Sequence, residues 1–239
     1  MHKFFVDDIP VCNYVITGQN ANHIIKSLRM KVGESITICN NGIDYECEIS
    51  NFTSDSVEVK VITSSKCENE PNVSVTIFQG LPKSDKMDTI VQKCVELGVD
   101  RIVPVLTYRS ILRPDAKASI KKVERWQKIS HEAAKQSHRG KVPVIDNIIG
   151  FEKALSDLNN FDCTLLFYEG GGEKINNLIP KNAKSIAVFI GPEGGFEEDE
   201  VNKILQLGGQ CATLGKRILR TETAPITALS IIMYITGNI

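Results

Sequence analysis

Ser185-Ile-Ala-Val-Phe-Ile190, running directly into Gly191-Pro-Glu-Gly-Gly-Phe196, is the stretch that decides the fold. An unbroken apolar run of this length, ended by a glycine turn, reads as a strand buried on both faces, as parallel sheets use. Glycines in the turn let a ligand approach the backbone closely. A second polar loop follows, Leu214-Gly-Lys-Arg-Ile-Leu-Arg-Thr-Glu-Thr-Ala224, and it too leads into an apolar helix. Two loops of this kind on one half of a domain predict a small-molecule site at the mouth of a parallel sheet.

Working outward, strand and helix patterns alternate from Val73 to the end. Strands are expected at 73–78, 101–106, 142–146, 164–167, 185–190 and 210–213. Helices are expected at 84–97, 116–136, 151–158, 197–207 and 223–236. In the first of these, Met87, Ile90, Val91, Cys94 and Val95 keep helical spacing, with Ser84 as its cap and Gly98 at its end. Trp126 falls on the apolar face of the helix 116–136 and reads as core. Alternation of this kind implies an α/β domain with a mostly parallel sheet covered on both faces. The last helix is apolar around much of its circumference, which predicts burial in its own domain or against a partner subunit.

Residues 1–70 differ. Short alternating runs at 35–39, 45–49 and 57–62 are separated by turn chemistry such as Asn40-Asn-Gly42. One helical piece, 19–28, precedes them, and the whole reads as a small β-barrel or sandwich. Polar residues 64–71, ending in Pro71, read as a linker to a second domain at 73–239.

With 42% hydrophobic and 24% charged residues, the 239-residue chain can build a real core. No apolar run reaches the ~18 residues that span a bilayer, and Met1-His-Lys-Phe-Phe-Val-Asp-Asp8 has no signal-peptide core, so a cytoplasmic protein without membrane contact is expected. The seven cysteines are scattered without a C-x-x-C pair, which suggests reduced thiols rather than a zinc site or disulfide framework. The net charge of −1 hides an asymmetry: residues 101–143 carry 11 Lys and Arg against 3 Asp and Glu. Such a segment is either a solvated helix face or a surface for an anionic partner.

The glycine loop lacks both the Lys-Ser/Thr of a phosphate-binding P-loop and the G-x-G-x-x-G dinucleotide fingerprint. Glu193 would repel a pyrophosphate. A ligand bearing hydroxyls or positive charge fits better. In the second loop, Arg220 and Glu222 beside Thr221 and Thr223 read either as an ion pair with a helix cap or as site residues.

Four pieces together resemble the SPOUT class of RNA methyltransferases, and within it the ribosomal RNA small-subunit methyltransferase E family. They are Phe4-Phe5-Val6; Gly80-Leu-Pro-Lys-Ser-Asp-Lys-Met-Asp88 followed by Lys93-Cys-Val-Glu-Leu-Gly98; Ile190–Phe196; and Leu214–Ala224. Glu132-Ala-Ala-Lys-Gln-Ser137 with Arg139 also fits. The resemblance runs from end to end.

It implies a SPOUT α/β domain with a C-terminal trefoil knot, preceded by a PUA-like β-barrel that engages RNA. It implies a homodimer that methylates N3 of a uridine, conventionally numbered 1498, in 16S rRNA of the small ribosomal subunit, with no metal. The knot loops would hold S-adenosyl-L-methionine through Leu166, Glu169, Ile190, Gly191, Glu193, Gly194, Leu214, Gly215, Ile218, Leu219, Arg220, Thr221 and Ala224. Arg220 would hold the charge that develops on the uracil oxygens, and Glu222 would orient Arg220 or take the N3 proton. RNA would meet Lys3, His23, Arg29, Lys83, Arg109 and Arg139. The −4 balance of the barrel residues is lower than a strongly basic RNA module would show. A SPOUT enzyme with another RNA target, such as a tRNA ribose, and an RNA-binding protein with an inactive pocket are the competing readings. A nicotinamide-dependent oxidoreductase is disfavoured by the missing fingerprint.

Overall fold

The structure is a computed structural model and describes residues 2–8 and 12–239. The chain divides into two compact units, Met1–Glu70 with Ala134–Val142, and Pro71–Ala133 with Pro143–Ile239.

In the first unit, strands β1 (Lys3–Phe5), β2 (Asn13–Ile16), β3 (Ser35–Asn40), β4 (Ile43–Phe52) and β5 (Val57–Lys66) form one sheet in the order β1-β3-β4-β5-β2. Asn41 and Gly42 make the tight β3–β4 turn with positive φ, as the Asn-Gly signal predicts. The alternating apolar residues Ile36, Ile38, Cys47, Ile49, Val57 and Val59 point inward and pack with Phe4, Ile16 and Ile24. β5 runs through Lys66, pairing Ser64, Ser65 and Lys66 with Tyr45, Asp44 and Ile43, so the expected linker begins as strand. Its polar side chains are exposed, and a strand with a solvated face needs no apolar signal. The helix expected at 19–28 is a short α1 (Gly18–Asn22) that widens into a π-helical turn, His23–Leu28, closed by Arg29 at φ 52°.

Two cations of this unit are folded inward. Lys3 is 7% exposed, and its Nζ lies 2.8 Å from Asp44 Oδ1 and 3.4 Å from Cys67 Sγ. Burial pulls the Lys3 pKa down, but the hydrogen bond and charge of Asp44 outweigh it and leave it raised. Arg139 is 2% exposed and grips Glu70 with Nε and Nη2, each 2.8 Å from a carboxylate oxygen. Gly140 N–H donates to the same carboxylate at 2.7 Å. The expectation that Lys3 and Arg139 contact RNA is therefore corrected: a buried, paired cation presents nothing to a phosphate. His23 and Arg29 are exposed on and just after the π turn, with the His23 ring edge-on to Phe4.

The second unit alternates β6 (Ser74–Gly80), α2 (Lys86–Glu96), β7 (Arg101–Leu106), α3 (Ala116–Gln136, its last turn belonging to the first unit), β8 (Val144–Ile145), β9 (Ile149–Gly150), α4 (Phe151–Leu155), β10 (Cys163–Phe167), β11 (Glu173–Lys174), α5 (Ile175–Leu178), β12 (Ser185–Ile190), α6 (Glu198–Gln206), β13 (Gln210–Thr213) and α7 (Thr223–Ile235). Seven strands order as β11-β13-β10-β12-β6-β7-β8, with β9 also on β7, and all the pairings are parallel. β12 lies between β10 and β6 and is buried from Ile186 to Ile190, which is why its sequence is continuously apolar. Phe78 and Phe189 stack at 4.5 Å within the core on one face.

α2 begins at Lys86, not Ser84. Ser84 adopts φ 56° outside the helix, so its hydroxyl cannot serve as the expected cap. Gly98 has φ 99°, and a Cβ there would come within 2.7 Å of Pro71, so glycine is required on both counts. The helix expected at 151–158 stops at Leu155 and resumes as a 3-10 turn, Leu158–Asn160. Trp126 is buried. α7 packs one face on α2, β6 and β12 through Ala228, Leu229, Ile232 and Met233. It leaves Ile226 and Ile231 half-covered and Tyr234 exposed. No helix among the described residues is long and apolar enough to cross a membrane.

Candidate active site

Because β6, β10, β12 and β13 are parallel neighbours, their carboxyl ends open on one edge, and their loops enclose a cleft of about 480 Å³. Of the residues the sequence singled out, Glu169, Ile190, Gly191, Glu193, Leu214, Gly215, Ile218, Leu219, Arg220, Thr221 and Ala224 line it. Leu166 does not. It points into the core with Phe189 and Phe78, one residue short of the strand end, where Phe167 and Tyr168 line the cleft instead. Gly194 is also absent from the wall. Its carbonyl is turned away to accept Arg109 Nη1 at 2.9 Å.

The loops are bound to one another by short polar contacts. Thr221 Oγ1 donates to Gly191 O at 2.7 Å, and Gln79 Nε2 donates to Thr221 Oγ1 at 3.0 Å. Gln79, at the end of β6, is fully buried and joins the ends of β6 and β12 to the loop before α7 in one network. The backbones of β6 and the glycine loop touch so closely that a Cβ on Gly80 would sit 2.5 Å from Pro192 Cδ. Gly191 is similarly hemmed in, at 3.1 Å from Gly195.

Charge is concentrated on one side. Lys86 Nζ reaches Glu193 Oε1 at 2.8 Å and Glu222 Oε2 at 3.3 Å, bridging two carboxylates. Glu193 also accepts the Lys83 N–H at 3.1 Å. Burial pushes the Glu193 carboxyl up, but the hydrogen bonds from Lys86 and the Lys83 amide hold it below the usual carboxylate value. The same contact with Glu193, reinforced by Glu222 against desolvation, raises the Lys86 pKa. Glu222 thus pairs with Lys86 and not with Arg220, whose backbone carbonyl accepts Thr223 and Ala224 N–H as α7 begins. Arg109 is committed to Glu197, bidentate at 2.8 and 3.1 Å, and to Gly194 O, while the Lys83 side chain is exposed.

Sequence reasoning missed Gln79 and Lys86. Lys86 lay within the Gly80–Asp88 motif, whose density of lysines was the available signal. Gln79 stood out only as a polar residue at the end of an apolar strand.

The residues fit S-adenosyl-L-methionine. The Ile190–Gly191 and Leu214–Gly215 main chain offers amides for an adenine, and Ile218, Leu219 and Phe167 offer apolar walls. Glycine is needed in this turn: a Cβ on Gly191 would press on the Gly195 backbone at 3.1 Å, and Gly195 adopts φ 69°. Glu169 and Glu193 suit a cationic ligand.

A family model for an RNA methyltransferase domain matches residues 68–233, and one for an RNA methyltransferase PUA domain matches residues 16–62. Ribosomal RNA small subunit methyltransferase E of Bacillus subtilis is 38% identical over 232 residues, covering 93% of this chain and 90% of that protein. The chain belongs to the ribosomal RNA small subunit methyltransferase E family. A solved member of the family from Neisseria gonorrhoeae, bound to S-adenosyl methionine, superposes with a TM-score of 0.88 at 31% identity over 98% of each chain. A methyltransferase from Legionella pneumophila with SAM bound gives 0.86 at 26% identity, over 97% of this chain and 96% of that one. The family's N-terminal module is thus PUA-like, and its larger unit is an α/β methyltransferase domain.

Proposed function

We propose that this chain is an S-adenosyl-L-methionine-dependent methyltransferase acting on N3 of one uridine in 16S rRNA of the small ribosomal subunit. What carries the reading is the meeting of Arg220, Lys86 and the glycine loop in one cofactor-sized cleft of a chain from this family, with Glu222 held to its wall by Lys86.

The cofactor, when bound, supplies a methyl group on a sulfonium. Main-chain groups of Ile190, Gly191 and Leu214 would hold its adenine, and Ile218 and Leu219 would offer it apolar walls. Uracil N3 carries a proton and is a poor nucleophile until that proton leaves. Glu222 takes the proton, directly or through water. The negative charge then spreads to O2 and O4, where the Arg220 guanidinium holds it. Thr221 keeps the loop in register by its bond to Gly191.

The larger unit is a trefoil-knotted SPOUT domain, residues 73–239, and residues 1–70 form the PUA-like barrel that engages RNA. His23 and Arg29 from that barrel and Lys83 from the larger unit contact phosphates. Arg109 serves the glycine loop, and its remaining exposed edge meets RNA. The enzyme is a cytoplasmic homodimer, with the half-covered Ile226 and Ile231 and exposed Tyr234 of α7 against the partner subunit.

Labelled S-adenosyl-L-methionine incubated with the protein and with small subunits lacking the modification tests this. Label recovered as 3-methyluridine at a single 16S position supports the reading. Label in a ribose or in tRNA, or no transfer despite cofactor binding, overturns it.

A further inference from the structure

We propose that Lys86 is a positioning residue for methyl transfer: from the first turn of α2 it pins the Glu222 carboxylate in place and ties it to Glu193 of the glycine loop. The inference rests on the reading that Glu222 and Arg220 act on the RNA base.

Lys86 occupies the first position of α2. A cation there opposes the helix dipole, so local helical preference does not account for a lysine at this place. Its partners lie outside the helix. Glu193 Oε1 is 2.8 Å away and Glu222 Oε2 is 3.3 Å away, on two different loops of the cleft. Glu222 Oε2 is shut off from solvent, so the charge beside it, and not water, fixes where it points. Without the ammonium, two carboxylates would face each other across one lysine-sized gap and repel.

The other charges near the start of α2 are engaged elsewhere or, at the Lys83 ammonium, exposed. Asp88 and Asp85 pair with Arg125 of α3. The Lys83 amide is bound by Glu193. Lys86 is therefore free to serve the two glutamates. The scaffold around it is stiff, since the Gly80 backbone is packed against Pro192, the neighbour of Glu193.

The test compares Lys86→Met, Lys86→Arg and Lys86→Met with Glu193→Gln. Cofactor affinity is measured by calorimetry, and single-turnover methylation of small subunits is measured at saturating cofactor. Lys86→Met is expected to lower the single-turnover rate roughly ten- to a hundredfold while cofactor affinity stays close to wild type. Lys86→Arg should recover most of that loss. Glu193→Gln in the Lys86→Met background should recover part of it, because one of the two facing negative charges is removed while an acceptor for the Lys83 amide remains. A wild-type rate in Lys86→Met overturns the proposal. So does a failure of Lys86→Arg to recover, or a rate loss matched by an equal loss of cofactor affinity. Wild-type protein that transfers no methyl group overturns the underlying reading, and the inference falls with it.

Discussion

The two units use their cations in opposite ways. In the first, Lys3 and Arg139 are buried and paired with Asp44 and Glu70, so they hold the unit together. In the second, Arg220 and Lys86 stand in an open cleft, one without an internal ion pair among the described residues and the other bridging two carboxylates. A count of positive residues treats these four alike. Position decides: an inward cation with a bidentate partner is structural, and a cation at a strand mouth is available to a ligand.

This contrast can be broken by substitution. Arg139→Ala leaves the half-buried Glu70 carboxylate with only the Gly140 N–H and should destabilise the protein by about 2–3 kcal/mol in denaturant unfolding, with transfer per folded molecule retained. A variant as stable as wild type would place Arg139 among the functional cations instead. Arg220→Ala should do the reverse, with an unchanged melting temperature and a roughly 10²–10³-fold lower single-turnover rate. Thr221→Val removes the hydroxyl between Gln79 and Gly191 and should weaken cofactor binding by about tenfold, one buried hydrogen-bond network's worth, in calorimetry. Arg29→Ala, on the exposed π turn, should lower RNA affinity only a few-fold and reduce its salt slope by about one, in filter binding at several salt concentrations.

The smallest effect is a pH dependence. The Glu193 carboxyl is held below its ordinary value of 4.5, so its contribution to stability is present above that value and lost as pH falls through the lower folded one. The melting-temperature advantage of wild type over Glu193→Gln should therefore shrink as pH is lowered past 4.5. An advantage that grows on acidification would contradict the assigned contacts.

Much of the parallel sheet was legible because burial on both faces writes a continuous apolar run, as in Ser185–Ile190, and helical spacing marks α2 from Met87 to Val95. The loops that line the cleft were legible because glycine at strand mouths has few other uses. What stayed hidden depends on contacts between distant residues. β1 and β2 are short strands with few alternating positions, and they exist because β3 and β5 offer them a ladder. The burial of Lys3 depends on Asp44, 41 residues away, and the role of Lys86 depends on Glu193 and Glu222. Ser84 has the composition of a cap but adopts φ 56°, and the helix starts behind Asp85 instead.

A crystal structure of the protein with S-adenosyl-L-homocysteine and a uridine-containing rRNA fragment tests the central claim most directly. The account predicts the adenine between the Ile190–Gly195 and Leu214–Ala224 loops, with the uracil oxygens at the Arg220 guanidinium and N3 within reach of Glu222. A cofactor bound elsewhere, or a uracil that meets neither Arg220 nor Glu222, would contradict it.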